Sequence, residues 1–151
     1  MDLCKKSIAV HVALTKSRKS MTKTLFMEKY PVFSLEIGKN ETSFTNVDQI
    51  IEYLKEKIEA HPIAIFIAIF DHYEHTGSMA DGVINPEIKD AKNLIFCFGK
   101  QIPNPKILAV RPRSISICEL ENSFSIDTLQ VPNEELHTLT ETWIKSIANL
   151  S

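Results

Sequence analysis

Eight apolar residues in a row, Ile63–Phe70, run without a break into Asp71, His72, Tyr73, Glu74 and His75. Side chains of this kind gain about 25 cal/mol for each Å² taken out of water. The carboxylates and imidazoles that follow resist the same transfer. The run is too short for a typical helix and follows one directly, so it reads as a buried strand apolar on both faces. One face is expected to meet helices, and the other a second layer or another subunit. The junction at Asp71 then falls at the rim of the fold, where a site is most easily built.

The segments around this run show clear periods. Val32–Ile37 alternates, with Phe33, Leu35 and Ile37 on one face, which is a strand pattern. Thr45-Asn46-Val47-Asp48 opens a helix, with a hydroxyl or amide as cap. Val47, Ile50, Ile51, Leu54 and Ile58 follow at three- and four-residue steps and form its apolar stripe, and His61-Pro62 ends it. Further strands are expected at Asn93–Phe98, Ser114–Leu120 and Phe124–Leu129, the last two joined as a hairpin across Glu121-Asn122. Asn133 caps a final helix striped by Leu136, Leu139, Trp143, Ile147 and Leu150. The fold class is α+β: a single domain, residues 31–151, with a largely antiparallel sheet and helices packed on one face. Residues 1–30 are set aside as an accessory basic segment, with weak helical character in Met21–Tyr30 that Pro31 stops.

Composition narrows the function classes. A chain of 151 residues with 44% hydrophobic and 24% charged residues is an ordinary globular protein. Its net charge of −2 makes no electrostatic case for nucleic acid. Lys5, Lys6, Lys16, Arg18, Lys19 and Lys23 stand against Asp2 alone at the start of the chain, so the acidic excess lies beyond them. The apolar stretch Ile8–Leu14 is interrupted by His11, which argues against a secretory signal. No apolar run approaches the roughly 20 residues that span a bilayer. Cys4, Cys97 and Cys118 match no zinc spacing and suggest free thiols. The expectation is a soluble, cytoplasmic protein with no membrane partner.

Two groups of residues carry candidate chemistry. In Asp71-His72-Tyr73-Glu74-His75, the histidines titrate near neutrality and suit proton transfer or anion contact. They converge only if the chain turns helical there; otherwise they are strand-end residues and Asp71 caps a turn. Metal binding would need further ligands, and no motif supplies them. In Arg111-Pro112-Arg113, an extended chain puts both guanidiniums on one face, as forked donors for a carboxylate or phosphate. The plainer reading is a pair of surface arginines, or partners for acids such as Glu119 or Asp127. Lys100 and Lys106 flank the adjacent loop and add positive charge. Cys97, between Phe96 and Phe98, reads as a small core residue.

The span Phe44–Gln130 resembles the domain of unknown function 302 family. The resemblance rests on a helix at Val47–Ala60, an apolar strand ending Asp-His at Phe66–His72, and a strand ending Phe-Gly at Leu94–Gly99. Asn104-Pro105-Lys106 and a strand at Arg111–Glu119 complete it. It implies a compact α+β domain that pairs as a homodimer, and it supplies no activity. Asp71, His72, Gly99, Asn104, Pro105 and Lys106 are the positions that match its pattern. This chain departs from it by inserting Lys100–Pro103 and by adding Tyr73, Glu74 and His75.

These readings converge on a small-ligand or anion-binding domain whose site joins Asp71, His72 and His75 to Lys106, Arg111 and Arg113. The alternatives are an enzyme with His72 as general acid or base, and a homodimeric interaction module. No cofactor is indicated by the residues.

Overall fold

The helical stripes and strand alternations need a partner layer, and the strand order decides which of them reach it. The computed structural model describes residues 20–148. Most of the basic lead, Cys4 and Leu150 therefore lie outside the described residues. Six strands form one sheet: β1 (Thr22–Phe26), β2 (Tyr30–Gly38), β3 (Ile65–Phe70), β4 (Asp90–Cys97), β5 (Arg113–Glu119) and β6 (Ser123–Leu129). Their spatial order is β1-β2-β6-β5-β4-β3, and every neighbouring pair is antiparallel. The helices are α1 (Val47–Ala60), α2 (His72–Ser78) and α3 (Glu134–Lys145), with short 3-10 turns at Lys39–Glu41 and Pro105–Val110.

Among the described residues, one face of the sheet is packed and the other is not. Leu35, Ile37, Leu94, Phe96, Ile115, Ile117, Phe124 and Ile126 are buried beneath α1 and α3. The α1 stripe Val47, Ile50, Ile51, Leu54 and Ile58 is buried against them, as are Trp143, Ile144 and Ile147 from the end of the chain. Asn46 caps α1 by accepting from the Gln49 amide at 2.9 Å, and Asn133 caps α3 by accepting from the Leu136 amide at 3.1 Å. Both caps satisfy donors that the first helical turn leaves open. The α+β architecture expected from the periods is the one observed.

Two expectations change. Met21–Tyr30 is not helical. Thr22–Phe26 is a strand paired to β2, and the reversal uses Met27 (φ 54°) and Glu28 (φ 61°) in the left-handed region. A five-residue segment is too short to nucleate a stable helix alone, whereas the ladder with β2 satisfies its backbone at once. The first strand of the sheet thus lies inside the segment set aside as accessory.

The second change concerns Ile63–Phe70, which is a strand but not a buried one. Among the described residues, β3 has β4 as its one neighbour and forms the edge of the sheet. Ile65, Ile67, Ile69 and Phe70 are 60%, 49%, 45% and 42% exposed. The register shifts between Phe66 and Ala68, a bulge that changes which side chains face the helices. Phe66 packs toward the core and lies beneath the Lys55 ammonium, 4.8 Å from the ring centroid.

Candidate functional site

The Asp71 junction turns helical immediately. Asp71 Oδ1 accepts from the Glu74 amide at 2.9 Å and so caps α2. One helical turn brings His72 and His75 to the same ring: their centroids lie 5.0 and 5.6 Å from that of Phe70. The two imidazoles therefore do converge, as exposed groups around a half-exposed aromatic ring. Lys92 Nζ lies 3.6 Å from Asp71 Oδ2 and also bonds Asp48, whose hydrogen bond is the main reason the lysine is shifted upward. A cavity of about 220 Å³ beside α2 is lined by His72, Tyr73, Thr76, Ile84 and Asn85. Gly82 closes the following loop, where an added Cβ would sit 2.0 Å from the Thr76 carbonyl oxygen, so no other residue fits there.

The arginines face different work. Arg113 Nη1 donates to the Val110 carbonyl at 3.1 Å, and Nη2 donates to those of Leu129 and Gln130 at 2.9 and 2.8 Å. Partial burial pushes its guanidinium below the ordinary value. Arg111 Nη1 donates to the Gln101 carbonyl at 2.6 Å. Both arginines line a narrow, mostly apolar cavity of about 140 Å³ with Cys97, Phe98, Ile107 and Leu136. Lys106 is exposed on the neighbouring 3-10 turn, where Asn104 Oδ1 accepts from the Ile107 amide at 3.1 Å and Pro105 opens the turn. Asn104 and Pro105 thus act locally as a cap and a helix-compatible first residue.

The structure brings Asp71, His72 and His75 together around Phe70, beside the middle of β4, and Arg111 and Arg113 together near its Phe96 end; Lys106 is not brought to either group. Phe70 is paired with Asn93, and Arg113 with Phe96. The cavity beside the imidazoles and the cavity beside the arginines share no lining residue. Among the described residues, no group of three or more His, Cys, Asp or Glu side chains is arranged to hold a metal ion. No helix among them is long and apolar enough to cross a membrane.

A third group went unnoticed in the sequence. On the uncovered face, Ser34, Asp127, Ser116 and Asn93 occupy one cross-strand row from β2 through β6 and β5 to β4. Ser34 Oγ donates to Asp127 Oδ1, and Ser125 Oγ donates to Asp127 Oδ2 at 2.8 Å. Asn93 Nδ2 donates to Ser114 Oγ at 3.0 Å. A cavity of about 450 Å³ opens over this row, walled by Val32, Leu129, Val110 and Pro112. The signal was present in Ser114-Ile115-Ser116 and Ser123-Phe124-Ser125-Ile126-Asp127, where the polar half of the alternation is small and hydroxylated.

Cys118 lies on the same face, and burial together with the nearby Asp127, Asp90 and Glu119 carboxylates raises its thiol. A raised thiol holds less thiolate at a given pH, and thiolate is the reacting species. Alkylation by iodoacetamide at pH 8, followed by peptide mass mapping, is expected to modify Cys118 more slowly than glutathione under the same conditions. Equal or faster modification would show that the thiol is not suppressed.

Comparison with known proteins adds a family but no chemistry. The model of a family of unknown function (DUF6858) matches residues 21–149. The chain belongs to that family. The match is therefore to a domain of unknown function, as the resemblance implied, but not to domain of unknown function 302. No curated protein and no solved structure matches the chain.

Proposed function

We propose that this member of the family is a homodimeric small-ligand-binding domain, with two copies joined through their β3 edges. The observation that carries the pairing is the exposed edge itself. Natural sheet edges are guarded by charges, proline or a covering element, and Ile65-Phe66-Ile67-Ala68-Ile69-Phe70 has neither charge nor proline. Among the described residues, its outer backbone groups face no other strand. Antiparallel addition of a second β3 would satisfy those groups and remove four half-exposed apolar side chains from water. A two-fold axis puts the same surface opposite itself, and an uncharged strand meets no like-charge repulsion there. The opposite edge, β1, carries Lys23.

The ligand half of the reading is supported by the convergence of two imidazoles on Phe70 and by the arginine-lined cavity, though the cavities there are small, about 220 and 140 Å³. The anionic ligand expected from the sequence would reach either the imidazoles or the guanidiniums, since their cavities share no lining residue. Arg113 is already committed to three carbonyls. Catalysis by His72 as general base is the weaker reading, because Asp71 Oδ1 serves the helix cap and the imidazole stacks on Phe70.

Light scattering coupled to size exclusion tests the pairing. The wild type is expected at twice the 17.1 kDa chain mass at tens of micromolar. Ile67→Lys, which puts a charge on each facing edge at an exposed position, is expected to weaken association at least tenfold while leaving the fold intact by circular dichroism. A wild type that elutes as a strict monomer would sink the reading.

A further inference from the structure

We propose that the uncovered sheet face is a site for a small organic cation, an ammonium group with an apolar body, held at Asp127. The proposal goes beyond the reading above, since both the site and the charge of its guest differ from those of the anion sites.

The argument is one of hydrogen-bond valence. Each serine hydroxyl has one proton to donate and two lone pairs. Ser34 and Ser125 both donate their proton to the Asp127 carboxylate, and Ser116 Oγ donates to the Asp127 main-chain carbonyl at 3.2 Å. Three hydroxyl oxygens are thereby left as acceptors around a carboxylate that is itself an acceptor. Asn93 turns its amide nitrogen to Ser114, which leaves its oxygen available. A guest that fits this row must bring donors, and a positive charge suits the carboxylate.

No compensating cation is in place. Among the described residues, no ion pair involves Asp127. Arg113 lines the same cavity, but its guanidinium is turned to the Val110, Leu129 and Gln130 carbonyls. The half-buried carboxylate thus lies on an open face with hydroxyl partners alone. Such a charge in a partly desolvated setting gains more from a cation than it would in bulk water. The cavity of about 450 Å³ falls within the range of small-molecule sites. Its walls are apolar at Val32, Leu129, Val110 and Pro112, which sets the rest of the guest as apolar.

The row also explains why this face is not another layer of core. Ser34, Asp127, Ser116 and Asn93 are aligned by register, not scattered. Burying that row against a helix would leave its acceptors without donors, a loss of the kind that buried polar groups avoid.

Titration with three matched probes, followed by two-dimensional amide NMR, tests the assignment: phenethylammonium chloride, 2-phenylethanol and sodium phenylacetate. Phenethylammonium is expected to shift the amides of Ser34, Asn93, Ser116 and Asp127 with millimolar affinity. The neutral and anionic probes are expected to bind there at least tenfold more weakly. Asp127→Asn should reduce the ammonium affinity at least tenfold with the rest of the spectrum preserved. If that variant does not fold, Ser116→Met, which fills the floor of the cavity and keeps the carboxylate, should give the same loss. Equal binding of 2-phenylethanol, or an ammonium titration without shifts on this face, would overturn the proposal. No ammonium shifts on this face, together with phenylacetate shifts at His72 and His75 or at Arg111, would overturn it while leaving a ligand-binding domain in place. Loss of the dimer in light scattering bears on the β3 pairing alone.

Discussion

Phe96→Ala is expected to cost about 3–5 kcal/mol of folding free energy, the usual range for deleting a fully buried ring. Phe96 is completely buried on the packed face of β4. Its ring meets Phe98 edge-on at 5.5 Å and Trp143 at 6.3 Å, so it joins the sheet to the helix that closes the chain. Removing it leaves a void that Leu94 and Ile115, both backbone-fixed in strands, have little freedom to fill. A domain of ordinary stability holds roughly 5–15 kcal/mol in total, so the variant should sit near its folding threshold. Urea unfolding read by the fluorescence of Trp143, the one tryptophan, measures this directly. A loss below about 1 kcal/mol would mean the aromatic cluster does not anchor α3. Phe96→Leu should recover more than half of the loss, since it restores most of the volume.

The second large effect is expected at Arg113. Arg113→Ala should destabilise the domain by about 1.5–3 kcal/mol, because it removes charge-assisted bonds from a half-buried guanidinium to three backbone carbonyls. Those carbonyls belong to Val110, Leu129 and Gln130, so the guanidinium ties the 3-10 turn to the end of β6. Arg113→Lys should rescue little of this, since a single ammonium cannot reproduce the planar fork. Arg111→Ala removes one bond to the Gln101 carbonyl at an exposed loop and is expected to cost less than about 1 kcal/mol. Thermal unfolding of the three variants separates the roles. If Arg113→Ala keeps the wild-type melting temperature, the arginine is not structural and an anion-holding role regains its footing.

The contrast between the two arginines shows where reading along the chain stops. The spacing of Arg111 and Arg113 predicts a forked pair, and both do line one cavity. What the spacing cannot reveal is that carbonyls more than a dozen residues downstream would occupy Arg113 first. The imidazoles are the opposite case. Their convergence depended on a turn within five residues of Asp71, and that turn is decided locally by Asp71 capping the Glu74 amide.

The serine row is legible only in hindsight. Ser114 and Ser116 are spaced as one face of a strand, and so are Ser125 and Asp127. Ser34 joins them through pairing of β2 with β6, strands separated by most of the chain. Hydroxyl residues on the polar side of an amphipathic strand look like solvated surface until their register is known.

Local order was carried by the chain itself. Periods of 3.6 and 2 report which side of a helix or strand is apolar, and caps report where helices begin, because both depend on residues a few positions apart. The α+β class, α1, α3 and the alternation of β2, β5 and β6 follow from that. Tertiary structure decided which strands are central and which is an edge. That choice depends on pairings such as β2 with β6 and, among the described residues, on β3 having no strand beyond it. An apolar run looks the same in the middle of a sheet and at its rim. Its neighbours alone determine whether it is buried, and for β3 the physical consequence is an apolar surface left half in water.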